Sequence, residues 1–365
     1  MKNFTFSFIA LILLSTFTSC IHEDDTPVKV SPITGAILSP EVGGAAQPNQ
    51  VWVELGTKTV KSTPREAWDL GFYGGDEFRV ILNSSLIMSV GKIENTVDID
   101  AVNSLTVAGL KPLVQVANFA DNAQYIDHPS GDINHQTTGI AEINANDNLN
   151  NVYLLNMGYK TFAGVTLPGN IYSIGDERGW KKIRILRHPQ GYKIQYANLD
   201  ETTHQEFIIA KDSEYHFKFF SFLTGTYADV QPKKKNWDLC FTVFTNLTIN
   251  PSNNQPTSYI YPDFVTHNIL GGVSVYEVLT ANGQGETAYN NFKKDDVVDS
   301  KFVLNDQRTI GSNWRTTTGV NGTEVFSNKF YVLKNSDGFY FKIRFLRMKD
   351  DQGFRGYPQF EYKAL

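Results

Sequence analysis

Residues 68–72 read Trp-Asp-Leu-Gly-Phe and residues 237–241 read Trp-Asp-Leu-Cys-Phe, an offset of 237 − 68 = 169 residues. A second pair, Lys-Ile-Arg-Ile-Leu-Arg at residues 182–187 and Lys-Ile-Arg-Phe-Leu-Arg at residues 342–347, recurs at an offset of 342 − 182 = 160 residues. The order is the same, and a loop insertion absorbs the difference of 169 − 160 = 9 residues. The sequence therefore predicts two tandem copies of one unit.

The repeated segments are typical of β-strands. Every second residue near the C-terminus is aromatic or aliphatic: Phe339, Phe341, Ile343 and Phe345. This period of two predicts a strand with one buried face, and the Asp337-Gly338 pair before it predicts a hairpin with residues 330–333. In the first copy, residues 152–155 and 180–186 are the equivalent strands, joined by a longer excursion through Pro168.

The Trp-Asp segments are also predicted to be strands. We expect Trp237, Leu239 and Phe241 to share one buried face, with Asp238 on the other. The tryptophans are then core residues. The repeated Asp69 and Asp238 could be taken for catalytic carboxylates, but short acidic side chains commonly accept hydrogen bonds from nearby backbone, and we predict that role.

The first residues predict a targeting segment. Lys2 precedes an apolar stretch at residues 4–17, which is shorter than the roughly 20 residues that span a bilayer. Cys20 follows in an order that resembles a bacterial lipobox, although Phe17 and Ser19 depart from its commonest form. We predict a lipoprotein signal peptide over residues 1–19 and acylation of Cys20. The alternative is an ordinary secretory signal with an incidental cysteine.

A tether is predicted at residues 20–47, which are rich in proline and polar residues. Its acidic start, Glu23-Asp24-Asp25, resembles the surface-export signal of lipoproteins in the Bacteroidota. A solvated tether would have the same composition. We predict that the protein is held by lipid at the outer membrane and faces the cell surface.

Composition and motifs exclude several classes of function. The formal net charge of −5 argues against a nucleic-acid partner. Cys240 would be the single cysteine left in the lipidated chain, so that chain forms no disulfide framework. No nucleophile elbow or zinc-protease motif is found, and the carboxylate pair of a glycosidase cannot be assigned. The sequence therefore predicts a protein that is not an enzyme, and an esterase or glycosidase has no support.

Taken together, these segments resemble the HmuY family of haem-binding surface lipoproteins. The second copy matches in its aromatic strand at residues 215–222, in residues 236–250 and in the hairpin at residues 329–346. The first copy matches at residues 51–53, 68–83 and 182–187. The resemblance implies an all-β fold, with one HmuY-like β-rich domain at residues 48–210 and a second at residues 211–365.

Family resemblance also implies a haem cofactor held by two axial side chains, usually histidine and sometimes methionine, from loops after the Trp-Asp strand. In the first copy these loops contain His128 and His135, which we nominate as cofactor ligands. The second copy has no His, Met or Cys between residues 280 and 329, and His267 lies just upstream. The loop histidines have two other interpretations, as solvated residues or as part of a zinc site with Asp127 and Asp132.

We therefore expect a surface lipoprotein that takes up haem, or a related tetrapyrrole, from solution or from a haemoprotein and passes it to an outer-membrane receptor. Neutral imidazole ligands imply that binding weakens as the pH falls toward about 6.5. The alternative function is that of a non-haem-binding lipoprotein of the same fold, acting as an adhesin or as a subunit of a surface complex.

Overall fold

The computed structural model describes residues 31–118, 120–319 and 322–365. The predicted signal peptide, the acylation of Cys20 and the first part of the predicted tether lie outside these residues. Within them, no helix has the length and apolar character needed to cross a bilayer.

The described chain is built mostly of β-strands, as the alternating pattern predicts. The strands are β1 Gly35–Leu38, β2 Asn49–Glu54, β3 Thr59–Pro64, β4 Leu70–Tyr73, β5 Val80–Leu82, β6 Ser89–Lys92, β7 Tyr153–Asn156, β8 Trp180–His188, β9 Gly191–Asn198, β10 Gln205–Ala210, β11 Phe217–Ser221, β12 Thr226–Ala228, β13 Leu239–Ile249, β14 Pro256–His267, β15 Ser274–Leu279, β16 Arg315–Gly319, β17 Gly322–Val325, β18 Lys329–Lys334, β19 Tyr340–Lys349 and β20 Arg355–Ala364.

Helical segments in the described residues are short. One α-helix, α1, spans Gly285–Asn291. The 3-10 turns are Gly44–Ala46, Arg65–Ala67, Ser84–Leu86, Ala123–Tyr125, Asp147–Leu149, Ile269–Gly271, Lys294–Asp296 and Asp299–Lys301. The all-β prediction is confirmed.

The strands form four main antiparallel sheets, which we number I to IV. Sheet I has the order β1-β20-β19-β18-β15 and sheet II the order β10-β9-β8-β7-β6. Sheet III has the order β12-β11-β4-β5 and sheet IV the order β14-β13-β2-β3, while β16 and β17 form a two-stranded ribbon. The repeated lysine-rich segments lie in β8 and β19, and the repeated Trp-Asp segments come just before β4 and β13. Sheets I and II are therefore equivalent, as are sheets III and IV.

Each equivalent pair of sheets contributes to a sandwich. Val51 and Phe241 of sheet IV pack in one core with Phe341 of sheet I. Leu70 of sheet III packs in a second core with Ile183 of sheet II. The opposite faces of sheets III and IV meet in a third cluster, which contains Trp52, Trp68, Phe217, Phe219, Trp237 and Cys240. Because side chains alternate along a strand, sheets III and IV each serve two cores.

The tryptophans are core residues, as expected, but the predicted face of Trp237 is wrong. Leu239 and Phe241 point into the sandwich core. Trp237 lies instead in the third cluster with Cys240. The reason is that β13 begins at Leu239, so Trp237 precedes the strand and does not follow its alternation. Both tryptophans of the repeated motif are about 95% buried, with exposures of 5% for Trp68 and 6% for Trp237.

The leading strands of the two copies are exchanged. Strands β1–β3 precede the first Trp-Asp segment, yet β1 pairs with β20 and β2 pairs with β13 of the second copy. Strands β10–β12 precede the second Trp-Asp segment, yet β10 pairs with β9 and β11 pairs with β4 of the first copy. The registers match: Trp52 lies opposite Cys240, and Phe219 opposite Gly71. Each sandwich therefore contains strands from both copies.

The repeated aspartates hold this exchange in place. An Asp238 carboxylate oxygen accepts the backbone N–H of Leu55, in the first copy, at 2.7 Å. An Asp69 oxygen accepts the backbone N–H of Phe222, in the second copy, at 2.6 Å. Burial raises the pKa of Asp238 to about 7. Both aspartates thus accept backbone hydrogen bonds, as the sequence predicts.

An asparagine after each Trp-Asp hairpin supports the same turn. Asn83 donates from its side-chain nitrogen to the carbonyls of Arg65 and Trp68, both at 2.8 Å. Asn268 donates in the same way to the carbonyls of Lys234 and Trp237. The counterpart of Asn83 is therefore Asn268, and not Asn250 as the family pattern was aligned on the sequence.

The repeated lysines are buried caps. Lys182 donates from Nζ to the carbonyls of Val102 and Glu201, both at 2.6 Å. Lys342 donates from Nζ to the carbonyl of Tyr289 at 2.6 Å and to two further carbonyls at the end of α1. Burial lowers the pKa of both amines. These lysines anchor the long loops of each copy onto its outer sheet.

Residues 32–365 form one compact unit. The predicted boundary between residues 210 and 211 follows the sequence repeat and stays a prediction. Strand pairing groups the chain differently, because sheets II and III are made entirely of β4–β12, whereas sheets I and IV, composed of β1–β3, β13–β15 and β18–β20, come from both ends.

Candidate functional site

A cavity lies where sheets III and IV face each other. Its volume is about 140 Å³, and it opens partly to solvent. Aromatic side chains from both copies form much of its wall: Trp52, Trp68, Phe217, Phe219, Trp237 and Phe244. A loop of the first copy, residues 126–138, closes one side and is called the histidine loop below. The cavity is thus shared between the copies.

His267 is the histidine most deeply placed in this cavity. It is the last residue of β14 and is 1% exposed. Its backbone N–H donates to the carbonyl of Gln307 at 3.1 Å. Neither ring nitrogen makes a hydrogen bond, although both are buried. Burial lowers the pKa of His267 to about 4, against smaller opposing effects of the Asp306 carboxylate and the Gln307 backbone. The ring is therefore neutral at physiological pH.

His128, from the histidine loop, is half-buried and lines the same cavity. Its Nδ1 lies 2.9 Å from the hydroxyl of Ser130, which leaves Nε2 for another partner. Its backbone N–H donates to the carbonyl of Thr137 at 3.0 Å and closes the base of the loop. Burial, followed by the nearby guanidinium of Arg308, lowers the pKa of His128.

Gln307 connects the two histidine-bearing segments. Besides accepting from His267, it donates its backbone N–H to Ser130 at 2.9 Å and its side-chain nitrogen to Pro129 at 3.1 Å. Both acceptors are backbone carbonyls of the histidine loop. A Cβ on Gly131, which has φ +73°, would lie 2.6 Å from the Gln307 side chain. The loop of the first copy is therefore fastened closely to the second copy.

The other nominated ligand, His135, lies outside the cavity. Its side chain is 78% exposed, and its Nδ1 lies 2.9 and 3.0 Å from the two carboxylate oxygens of Asp132. The structure thus brings His128 to the cavity but not His135. The pair as nominated from the sequence stays a prediction.

The zinc interpretation does not fit the arrangement of the histidine loop. Asp127 is buried and accepts the backbone N–H groups of Leu82 at 2.6 Å and Gly139 at 2.9 Å. Its burial raises its pKa to about 7, so it is a weak donor for a metal. Across residues 31–118, 120–319 and 322–365, no group of three or more His, Cys, Asp or Glu side chains is placed to hold a metal ion.

A third histidine of the cavity was missed by the search of the loops. His216 comes directly before β11 and is 6% exposed. Its Nε2 lies 3.1 Å from the carbonyl of Lys234. Burial lowers its pKa to about 4. The aromatic run at residues 215–222 signalled a strand, and strand residues had been set aside when ligands were sought. The exchange of strands carries this residue to the cavity.

Comparison with known proteins gives a consistent family. The family described as HmuY protein matches residues 46–204 and again residues 213–362. Comparison with curated proteins gives no match.

Similar solved structures come from related bacteria. A candidate HmuY-like heme-binding protein from Bacteroides vulgatus is 17% identical, with 40% of this chain and 83% of the other covered and a TM-score of 0.22. A candidate lipoprotein from Bacteroides fragilis is also 17% identical, over 50% of this chain and 88% of the other, with a TM-score of 0.22. Apo PinO from Porphyromonas gingivitis is 14% identical, over 51% of this chain and 97% of the other, with a TM-score of 0.16.

Proposed function

Because this chain belongs to the HmuY family, we propose that it binds haem, or a related tetrapyrrole, in the cavity between its two copies. The observation that carries this proposal is His267, a buried neutral imidazole whose two ring nitrogens have no partner. A neutral imidazole is the form that ligates haem iron. The protein acts as a binder in this proposal and not as an enzyme.

The cavity residues fit the chemistry of a haem group. His267 and His128 would supply the axial imidazoles, one from each copy, and the aromatic walls would cover the faces of the macrocycle. Ser130 fixes the tautomer of His128 by its contact with Nδ1, which leaves Nε2 as the ligand atom. When bound, haem supplies an iron centre that accepts these imidazoles and gives the complex its Soret band. The HmuY-like neighbour from Bacteroides vulgatus supports the same ligand class.

Binding of a macrocycle requires the histidine loop to move. The cavity of about 140 Å³ is smaller than the roughly 300–1,000 Å³ of most ligand sites. Lifting the loop breaks the two hydrogen bonds from Gln307, at a cost of about 1 kcal/mol each. Contacts between haem and the aromatic walls would offset this cost. His135 could join the iron only if the loop also rearranges.

Location and delivery complete the proposal. Acylation at Cys20 would anchor the protein to the outer membrane, with the tether carrying residues 32–365 toward the cell surface. Haem would arrive from solution or from a haemoprotein and pass to an outer-membrane receptor. Fractionation of cells that express Cys20→Ala and the parent chain tests the anchor, because the variant is expected to leave the membrane fraction.

Haemin titration of the chain without its first 20 residues tests the ligand. We expect a Soret shift, and we expect His267→Ala and His128→Ala each to weaken binding by about 10- to 100-fold, the range found for residues that support metal sites. His135→Ala is the matched control, because its exposed side chain leaves the cavity unchanged. Absence of a Soret shift, or a shift insensitive to both cavity variants, would disprove this site.

The pH dependence adds a second measurement. Because His267 has a pKa of about 4, it stays neutral well below the pH at which a free imidazole is protonated. Haem binding is therefore expected to persist through pH 6 and to weaken as the pH approaches 4. This window lies lower than the sequence alone indicates.

One observation favours the second candidate function, a surface protein of the same fold that binds no haem. The cavity as folded is too small for a macrocycle, and the histidine loop is fastened across it by Gln307. Such a protein would act as an adhesin or as a subunit of a surface complex. A negative haemin titration, together with retention of a cell-surface protein or glycan on the immobilised chain, would favour it.

A further inference from the structure

Buried polar atoms without partners are concentrated on the cavity between the copies. They are the indole nitrogens of Trp52 and Trp237, the side-chain oxygen of Gln231 and both ring nitrogens of His267. All four residues line the cavity, and each is at most 6% exposed. In the part of the chain that the structure describes, nine buried side-chain nitrogen or oxygen atoms have no hydrogen bond, and five of them are these.

Other buried indoles of the chain are satisfied. Trp68 donates from Nε1 to Gln50 at 2.8 Å, and Trp314 donates to the carbonyl of Asp263 at 3.1 Å. An indole N–H is a donor only, so it has no alternative orientation that removes the need for an acceptor. Burial of such a group without a partner is unfavourable and rare in folded proteins. The unpaired donors on Trp52 and Trp237 therefore point to an acceptor that the cavity receives.

The cavity offers acceptors as well as donors. Gln231 presents a carbonyl oxygen, and a neutral imidazole such as His267 offers one donor and one acceptor. Trp52 and Trp237 pack edge to face, with their ring centroids 4.8 Å apart, so the two donors lie on adjoining rings. A ligand that satisfies this wall carries an acceptor and a donor on one small framework.

The surroundings favour an uncharged ligand. Burial shifts the pKa of each of four cavity side chains toward its neutral form: Asp127 to about 7, Cys240 upward, and His216 and His267 to about 4. A bare carboxylate at this wall would lack a facing cation. Burial of an unpaired charge is far less favourable than burial of a polar group with hydrogen bonds.

The size of the cavity limits the ligand to about one ring. An engineered apolar cavity of about 150 Å³ in another protein binds benzene. The volume here is about 140 Å³, which admits a single six-membered ring without movement of the histidine loop.

We propose that the cavity, as folded, binds an uncharged single-ring heteroaromatic group with adjacent acceptor and donor atoms, such as a lactam, through Trp52, Trp237, Gln231 and His267. The proposal goes beyond haem binding and does not depend on it, because it concerns the closed cavity. It assigns a ligand class to the indole donors, which have no role in iron ligation.

Two probes of equal size test it: 2-pyridone, which carries a ring N–H beside a carbonyl, and benzene, which carries neither. We expect 2-pyridone to shift two of the five indole N–H signals in a ¹H–¹⁵N spectrum of uniformly labelled protein, and benzene to shift neither in that way. Trp52→Phe and Trp237→Phe identify these signals. Each variant should weaken 2-pyridone binding by about three- to tenfold, the effect of one hydrogen bond, and leave benzene binding unchanged.

Controls keep the outcomes separable. Trp180→Phe removes a half-buried indole outside the cavity and should leave 2-pyridone affinity unchanged. The Trp68 signal reports whether each variant folds, and Gln231→Met tests the same wall if a tryptophan variant does not. Equal affinity for both probes, equal loss of both in the variants, or indoles that contact ordered water only would overturn the proposal. A haemin titration without a Soret shift would remove the haem function and leave this result standing.

Discussion

The two copies share one framework and differ in the hairpin that follows the Trp-Asp segment. In the first copy the hairpin strands β4 and β5 have 4 and 3 residues. In the second copy the equivalent strands β13 and β14 have 11 and 12 residues. The insertion lengthens the hairpin into an arm that reaches the first copy. A duplicated framework can therefore give unequal halves through one change in a hairpin.

The arm contacts the long loop of the first copy that leads into the histidine loop. Ser258 donates its backbone N–H at 2.8 Å and its hydroxyl at 2.7 Å to the side-chain oxygen of Asn122. Its carbonyl accepts the backbone N–H of Ala117 at 3.2 Å. The second copy thus holds the loop in which the first copy carries His128, while it supplies His267 itself. This asymmetry explains why imidazoles from different copies face one cavity.

The largest expected effect comes from dividing the chain in two ways. Residues 65–235 contain all strands of sheets II and III, whereas residues 32–204 follow the sequence repeat and carry β1–β3 without their partners. We expect the first fragment to unfold cooperatively in urea and the second to lack a cooperative transition. Circular dichroism during urea titration measures this. Cooperative unfolding of residues 32–204 alone would contradict the importance of the exchange.

Removal of the two repeated aspartates should have unequal effects. Asp69→Ala leaves the backbone of Phe222 and the guanidinium of Arg178, 2.7 Å away in the parent, without their carboxylate, and should cost about 3–5 kcal/mol. Asp238→Ala leaves the backbone N–H of Leu55 unpaired and should cost about 1–3 kcal/mol.

Equilibrium urea denaturation measures both losses. Asp229→Ala is the control, since it removes an exposed ion pair with Lys61 that contributes about 0–1 kcal/mol. Equal losses at Asp69 and Asp238 would show that the Arg178 ion pair adds nothing to the first copy.

Opposing pKa shifts should flatten the dependence of stability on pH. Asp127 and Asp238, with pKa raised to about 7, stabilise the fold most below pH 4 and lose that contribution as the pH rises toward 7. His216 and His267, with pKa lowered to about 4, destabilise the fold as the pH falls from 6.5 toward 4. The two trends oppose each other between pH 4 and about 6.5.

Single variants separate these contributions. In Asp238→Asn the free energy of unfolding should rise with pH over this window, because the histidine contribution is less opposed. In His267→Phe it should fall with pH, because the aspartates then dominate. Urea denaturation at pH 4, 5, 6 and 7 gives the slopes. Identical slopes in the parent and both variants would contradict the assigned shifts.

The smallest expected effect concerns the arm. Ser258→Ala removes one hydroxyl donor but keeps the backbone N–H bond to Asn122, and should cost about 0.5–1.5 kcal/mol. Hydrogen exchange should rise in residues 115–125 and stay unchanged in sheet II. Ser62→Ala, on β3, is a control outside the contact. Unchanged exchange at residues 115–125 would mean that the arm does not restrain the loop.

Much of the fold could be predicted because local patterns carry it. Alternation of Phe341, Ile343 and Phe345 marked β19, and Asp337-Gly338 marked its hairpin, whose turn has Gly338 at φ 84°. The repeat identified equivalent strands and the burial of Trp68 and Trp237. The face of Trp237 was wrong because alternation was extended two residues beyond the start of a strand.

The site was predicted less completely. His128 was found because a loop histidine in a family-like context is visible in the sequence. His135, five residues from the cavity-lining Ser130 region, faces solvent because its ring pairs with Asp132. His216 and His267 lie in or next to strands, where burial and not sequence context decides their role. Their positions depend on which sheets face each other.

The sequence by itself determined the duplication, the strands and the burial of their aromatic faces, because these follow from side-chain periodicity within each segment. Tertiary structure alone decided which copy each leading strand joins. Equivalent strands present the same backbone donors and acceptors to either sheet, so local chemistry does not select between the two pairings. The exchange brings Trp52 against Trp237 and His267 beside the histidine loop, and the cavity follows from that pairing.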